Sequence, residues 1–396
     1  MRHQTFTICG TGCALADFLY TDMDFSDPAF MKYLSKRPGD GGLSPGRLVF
    51  TGEFEKFAKT KFEDFLNEVT GGRQPDRFNI GGPSLVALIH AAQLLAGSPA
   101  EVRFFGAMGK DDIGTRILEN LKKLPVNISG YEKVDATTPF TDVFSDPGFD
   151  GGVGERIFVN NLGAAELYKP ENLPEAFFKA DMTVFGGTAL VPQIHDHLSE
   201  LLGKARRHQA FTVVNTVYDF RNESRNPHQR WPMGDGDASY PLIDLLITDR
   251  EEALRLSGTK NIGDSLRFFK AKGARAVVVT QGHKPVYLYA DERFYQPVKY
   301  NKMPVSEYIT ERLKKGNAGD TTGCGDNFAG GIVASLAMQK MNGAEKPDMT
   351  EAVVWGIASG GAACFYTGGT YIEQKPGEKW EQIEKIVKKY RDQIKW

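Results

Sequence analysis

Cysteine is scarce, with Cys9, Cys13, Cys324 and Cys364 the only four in 396 residues. None forms a C-x-x-C pair or stands beside a histidine at zinc-ligand spacing, so neither a zinc staple nor a disulfide framework is expected to hold the fold. His195 and His197 suggest a ligand pair, but Ile194 to Ala205 reads as a helix, where positions two apart point to opposite sides, and both are expected at the surface. Apolar runs fall far short of the roughly 18 residues that span a bilayer, and Met1 to Tyr20 lacks a basic flank followed by an uninterrupted apolar stretch. A cytoplasmic protein with no membrane partner is expected. An excess of one charge is also missing: 48 basic and 50 acidic residues leave a formal net charge of −2. Without a Lys/Arg block, the phosphate attraction behind nucleic-acid binding has no footprint. Two nucleotide motifs are absent as well. Gly109-Lys110 is followed by Asp111 rather than Ser or Thr, and Gly10-x-Gly12 has Leu15 where a dinucleotide fingerprint needs its third glycine.

What is present is enough apolar material, 41% of the chain, for one large α/β unit or two associated domains. Phe6 to Cys9 reads as a buried strand entering a turn at Gly10-Thr11-Gly12. Residues from about 18 to 76 read as an excursion from the main sheet, with one amphipathic stretch near Glu53 to Val69. After Gly81-Gly82, the positions Leu85, Leu88, Ile89, Ala92 and Leu95 mark a helix face that ends at Gly97. Val102 to Phe105 predicts a strand and Ile113 to Leu121 a helix, while Tyr131 to Val159 alternates like two or three strands of an exposed sheet. Strands follow at Met182 to Phe185, Phe211 to Val214, Leu242 to Ile247 and Ala276 to Thr280, separated by helices. That alternation implies a parallel sheet covered on both faces.

The densest chemical signal is Gly319-Asp320-Thr321-Thr322-Gly323-Cys324-Gly325-Asp326, which runs into a helix with Phe328, Ile332, Val333 and Leu336 on its apolar face. Small residues let backbone N–H groups converge, and the helix N-terminus adds partial positive charge, so the segment forms an anion site suited to phosphate. An acid at its mouth repels phosphate. It serves either as a helix cap or as the base that takes a proton from an attacking hydroxyl.

This segment resembles the D-T-x-G-A-G-D signature of the ribokinase-like (PfkB) family of carbohydrate and nucleoside kinases, with Cys324 in place of the usual Ala. Further along the chain, Gly10, Gly12 and Asp17 resemble the first strand and its substrate-contacting Asp, and Gly81-Gly82 resembles the di-glycine hinge. Gly106, Gly109, Asp111 and Gly114 match G-x-x-G-x-D-x-x-G, and Gly154-Glu155-Arg156 matches the G-E-R of the lid. The resemblance implies a doubly wound, mostly parallel α/β sheet with helices on both faces and a small, mainly β lid. The core would comprise residues 1–15, 77–126 and 164–396, and the lid residues 16–76 and 127–163.

By the same resemblance Asp326 is the base, and the backbone of Gly323, Cys324 and Gly325 is the anion hole. Thr280, Gly282, Asp320 and Thr322 contact the nucleotide, and Asp17, Gly81 and Gly82 the acceptor. Asp249 and Glu252 stand for the family's N-x-x-E near Mg²⁺. An acid there suits a hard cation, while a first helical turn rich in acid also suits the helix dipole. ATP and Mg²⁺ are implied, with a monovalent cation such as K⁺ as an open addition, and a homodimer formed through the lids. Pro285 stands where T-x-G-x-x-G has its last glycine, which removes an N–H. Val86 stands where the family commonly has an Asn that touches substrate hydroxyls. The expected activity is phosphoryl transfer from ATP to a hydroxyl of a sugar or sugar acid; a nucleoside kinase of adenosine type and a binding protein with little turnover are the alternatives.

Overall fold

A computed structural model describes residues 5–37, 39–152, 154–316, 319 and 321–395. Fourteen strands are found among the described residues: β1 (Phe6–Gly12), β2 (Leu15–Tyr20), β3 (Leu48–Phe50), β4 (Arg77–Gly81), β5 (Ala100–Gly109), β6 (Asn127–Val134), β7 (Phe140–Asp146), β8 (Glu155–Asn161), β9 (Met182–Gly186), β10 (Phe211–Asn215), β11 (Leu245–Asp249), β12 (Ala276–Thr280), β13 (Val286–Ala290) and β14 (Lys302–Met303). They form a large sheet in the order β14-β13-β12-β11-β10-β9-β1-β5-β6 and a small one in the order β3-β8-β7-β2-β4. From β6 to β12 the large sheet is parallel, and only β13 and β14 run antiparallel at its edge.

The central strands are apolar without interruption because both faces of the large sheet are covered. Val184, Leu245, Ile247 and Val278 pack on one side with the helices Pro83–Leu94, Cys324–Met341, Met349–Ala363 and Glu378–Gln393. Phe185, Leu246, Val277 and Val279 pack on the other with Leu198–Arg207, Arg250–Ser257 and Ile262–Ala271. The chain reverses side by alternation along each strand, so consecutive residues belong to different cores.

Several expectations are corrected. The amphipathic stretch near Glu53 to Val69 is two helices, Thr51–Ala58 and Phe62–Thr70, because Lys59 takes a left-handed conformation that ends the first. The strand β4, within residues 77–126 expected in the core, belongs to the small sheet, where it pairs with β2. Conversely β6, from the segment 127–163 assigned to the lid, is the outer strand of the large sheet, because it returns parallel to β5. His195 is buried, not at the surface: the expected helix is broken at Asp196 and His197. Its Nδ1 lies 2.9 Å from Thr188 Oγ1 and its Nε2 3.4 Å from Asp219 Oδ2. His197 is exposed as expected.

One face of the small sheet is covered by its own chain. Tyr20, Phe144, Ile157 and Val159 pack against Phe30, Tyr33, Phe54, Phe62 and Phe65 from the helical excursion. Phe65 is fully buried and makes ring contacts with Phe30, Tyr33, Phe54, Phe62 and Phe144. Phe65→Ala is therefore expected to cost about 3–5 kcal/mol, the range for emptying an aromatic core site. Denaturant titration followed by intrinsic fluorescence checks this, and a loss below about 1 kcal/mol would show that the cluster collapses onto the gap.

Candidate active site

The helix Cys324–Met341 is capped by Gly323, whose φ of 73° is left-handed. A side chain there is excluded twice, by that conformation and because a Cβ would stand 2.3 Å from the Cα of Gly369. In front of Gly325 nothing lies within 4 Å of a Cβ position, so the first turn opens onto free space. The N–H groups of a first helical turn have no partners inside the helix, and together with the dipole they favour an anion in that space. The Cys324 N–H leans weakly on Thr321 O, at 3.3 Å.

Asp326 is not the cap, which settles one of the two readings of its role. It sits in the first turn beyond Gly323, half-buried, and its carboxylate takes no hydrogen bond from the described residues. Desolvation alone raises its pKa to about 6. A carboxylate without a cationic partner, poised near the working pH, is what a general base requires.

Residues far along the chain hold this turn in place. Asn327 donates through Nδ2 to Gly323 O at 2.9 Å and to Gly369 O at 2.8 Å. Its Oδ1 accepts from the Tyr366 hydroxyl at 2.9 Å, and that hydroxyl accepts from Lys379 Nζ at 3.0 Å. Lys379 is fully buried; burial pulls its pKa down to about 7, against the opposing charge of Glu373. Its ammonium lies over the rings of Tyr366 and Tyr371.

At the carboxyl ends of the large sheet, Gly12 is level with Gly186, and Asp249 with Thr280. Asp249 is exposed and caps the next helix, accepting from Glu252 N at 2.8 Å, while Glu252 Oε2 accepts from Asp249 N at 3.2 Å. Glu252 Oε2 also accepts from Thr216 Oγ1 at 2.5 Å and Thr248 Oγ1 at 3.2 Å. Burial first, and then the charge of Asp249, push the Glu252 carboxyl above the ordinary carboxylate range. Both acids thus form a capping box, as their position at a helix start predicts. Beyond Thr280, Gly282 forms the tip of the turn into β13, and Pro285 O accepts from Gln281 Nε2 at 2.9 Å. Among the described residues no cluster of three His, Cys, Asp or Glu has metal-ligand geometry. A surface depression lined by Lys270, Arg275, Tyr289 and Arg293 lies at the far end of β12 from Thr280 and holds none of these groups.

The small sheet supplies the opposite wall. Across its strands Asn79, Asp17, Thr141 and Asn160 stand in register on the face away from the lid helices. Asp17, Thr141 and Asn160 are buried. Asn160 Nδ2 donates to Thr141 Oγ1 at 2.8 Å, and Asn160 Oδ1 is buried without a partner among the described residues. Asp17 also packs against Gly81, where a Cβ would come 2.2 Å from its Oδ2, and Gly82 turns the chain with φ 95° against Cys13 O. Asn79 Nδ2 donates to Thr367 O at 2.8 Å, which joins this row to the segment that buttresses Gly323. Val86, at the position where an Asn is common in the resemblance, packs against Gly369. The lid also reaches the motif: Arg156 of β8 donates from Nη1 to Thr322 Oγ1 at 2.8 Å and from Nη2 to Thr321 Oγ1 at 3.2 Å.

The structure therefore brings Gly323, Cys324, Gly325, Asp326 and Thr322 together, and ties Asp17, Gly81 and Gly82 to them through Asn79. Asp249, Glu252, Thr280 and Gly282 share the strand-end surface of β11 and β12. Asp320 lies outside the described residues. Asn79, Thr141, Asn160, Tyr366 and Lys379 carry no sequence signal, since each acquires its partner across the fold. Arg156 was legible only as part of a G-E-R match.

Phosphoryl transfer to a hydroxyl asks little of a protein beyond a base and positioned donors, and the chain is a phosphotransferase of that class. Residues 61–376 match the pfkB family carbohydrate kinase, and the chain belongs to this family, whose members use ATP. Similar proteins include adenosine kinase 2 of Arabidopsis thaliana, 27% identical over 74% of this chain and 81% of that protein. Ribokinase of Staphylococcus aureus is 26% identical over 63% of this chain and 73% of that protein. Among solved structures, adenosine kinase from Schistosoma mansoni in complex with 2-fluoroadenosine superposes with a TM-score of 0.68 at 16% identity, covering 92% of this chain and 96% of that one. Ribokinase from Thermotoga maritima gives 0.61 at 18% identity, covering 97% and 99%. No helix among the described residues is long and apolar enough to cross a membrane.

The raised Asp326 pKa sets a pH dependence. A base works ionised, so if Asp326 has that role kcat/KM is expected to be flat above about pH 6 and to fall tenfold per unit below it. An ordinary aspartate would hold the rate down to about pH 4. A pH–rate profile distinguishes the two, and a break near pH 4 would remove the environmental argument for Asp326.

Proposed function

We propose that the protein transfers the γ-phosphoryl group of ATP to a hydroxyl of a small sugar or sugar acid. The observation that carries this reading is the in-register polar row Asn79, Asp17, Thr141 and Asn160 on the inner face of the small sheet. A buried row of amide, carboxylate and hydroxyl groups suits a polyhydroxylated acceptor, because each substrate hydroxyl both donates and accepts. Asn160 Oδ1, buried and without a partner among the described residues, is available to such a hydroxyl.

In this reading Asp326 accepts the proton of the attacking hydroxyl, and the N–H groups of Gly323, Cys324 and Gly325 receive charge as it develops on the moving phosphoryl group. Thr280, Gly282, Thr322 and Asp320 contact the nucleotide. Asp17, Gly81 and Gly82 position the acceptor. Arg156 holds the lid on the motif, which excludes water from the transfer. Asp249, with an exposed carboxylate, and Glu252 behind it would hold hydrated Mg²⁺ against the phosphates; that ion would neutralise triphosphate charge. The oxygen donors fit a hard cation.

A nucleoside acceptor is the second reading, supported by the names of the similar adenosine kinases. ADP release measured with ATP against sugars, sugar acids and nucleosides decides between them. A kcat/KM for nucleosides at least about tenfold above that for every sugar would replace the first reading with the second, since that ratio is about 1.4 kcal/mol of differential binding.

Asp326→Asn is expected to lower kcat on the identified acceptor by about 10²- to 10⁴-fold while ATP affinity, measured by calorimetry, stays close to the parent value. Near-parental kcat would contradict the assignment of the base. Glu252→Gln keeps a residue that serves the capping box, so the fold is retained. It should raise the Mg²⁺ concentration for half-maximal rate several-fold, and an unchanged midpoint at saturating ATP would leave Glu252 with the helix-capping role alone.

A further inference from the structure

The sulfurs of Cys324 and Cys364 lie 3.4 Å apart. Cys324 is the first residue of the motif helix, and Cys364 follows the last turn of the helix Met349–Ala363. Both are half-buried thiols, open to a small reagent. The other pair of cysteines behaves differently. Cys9 and Cys13 are buried, and burial pushes each of their thiols up to about 12, which keeps them protonated and inert.

We propose that Cys324 and Cys364 are a modification site, at which a low-molecular-weight disulfide such as oxidised glutathione converts the two thiols into an intramolecular disulfide and so disables the phosphoryl-binding turn. The Cys324 thiolate attacks one sulfur of the reagent, whose S–S bond breaks, leaving a mixed disulfide and releasing one small thiolate. Cys364 thiolate then attacks Cys324 Sγ, the mixed disulfide breaks, and the second small thiolate leaves. Two protein thiols are oxidised, one small disulfide is reduced to two thiols, and the two cysteine protons pass through water to the leaving thiolates. Cys324 stands where the partial positive charge of the helix collects, a setting that favours the attacking anion.

The bond reaches across a joint with little slack. A disulfide holds its sulfurs about 2.0 Å apart, so from 3.4 Å the pair must close by about 1.4 Å. Gly319 N already donates to Cys364 O at 2.8 Å, and a Cβ at Gly319 would stand 2.3 Å from Tyr366 O. With Gly323 seated against Gly369 on its other side, movement of the Cys324 sulfur is passed to the backbone of Gly323 to Gly325. A shift of about 1 Å in such positioning groups costs on the order of 10²-fold in rate.

The test incubates the full chain with oxidised glutathione, then reads intact mass, a peptide map and kcat. The proposal expects a loss of about 2 Da, a Cys324–Cys364 linked peptide, a kcat at least about tenfold lower, and recovery with dithiothreitol. Cys364→Ser, with Cys364→Ala as a second variant should the first fail to fold, is expected to keep the unoxidised rate and to resist inactivation. A stable glutathione adduct on the parent chain without the linked peptide overturns the proposal, as does the linked peptide with undiminished kcat or a Cys364→Ser chain inactivated as fully as the parent. The rate readout rests on the phosphotransfer reading; the linked peptide is read by mass whichever acceptor is found, so failure of one is distinguishable from failure of the other.

Discussion

The contact between Gly323 and Gly369 is the joint on which the site is built. Two stretches of backbone more than forty residues apart meet so closely that Gly323 cannot carry a side chain at the contact, and Asn327 clasps both carbonyls through one amide. A short hydrogen bond of this kind contributes on the order of 1 kcal/mol by itself. Its larger effect is geometric. It sets the direction of the first helical turn, and with it the free N–H groups and the carboxylate of Asp326.

Around that joint the fold arranges its polar groups by burial. Lys379, Tyr366 and Asn327 form a chain in which each group bonds the next, and a buried polar chain of this kind specifies one arrangement where an apolar filling would allow several. Asp326 is treated in the opposite way. Among the described residues its carboxylate has no hydrogen-bond partner, and burial raises its proton affinity.

The lid extends the argument across domains. Its outer face is an aromatic cluster closed by its own helices, and its inner face is a polar row, so the sheet separates stability from recognition by strand alternation. Arg156 then ties the lid to the motif by two hydroxyl contacts. Because those bonds are made to the same turn that Asn327 holds, lid position and cradle geometry are mechanically linked.

Much of this was legible in the sequence. Continuous apolar runs separated by helical periods imply a parallel sheet covered on both faces, and the glycine-rich entry to Cys324–Met341 implies an anion site, because both signals are carried by contiguous residues. The break at Asp196, the left-handed Lys59 and the allocation of β4 and β6 between the sheets were not, since pairing partners and side-chain burial override local propensity. Between cap and base, the sequence left Asp326 open, and the position of Gly323 removes the cap. Asn79, Thr141, Asn160, Tyr366 and Lys379 became visible only in the fold. Their meaning depends on partners brought near by strand register and by the return of residues 366–379 to the motif, a separation in sequence that no local pattern records.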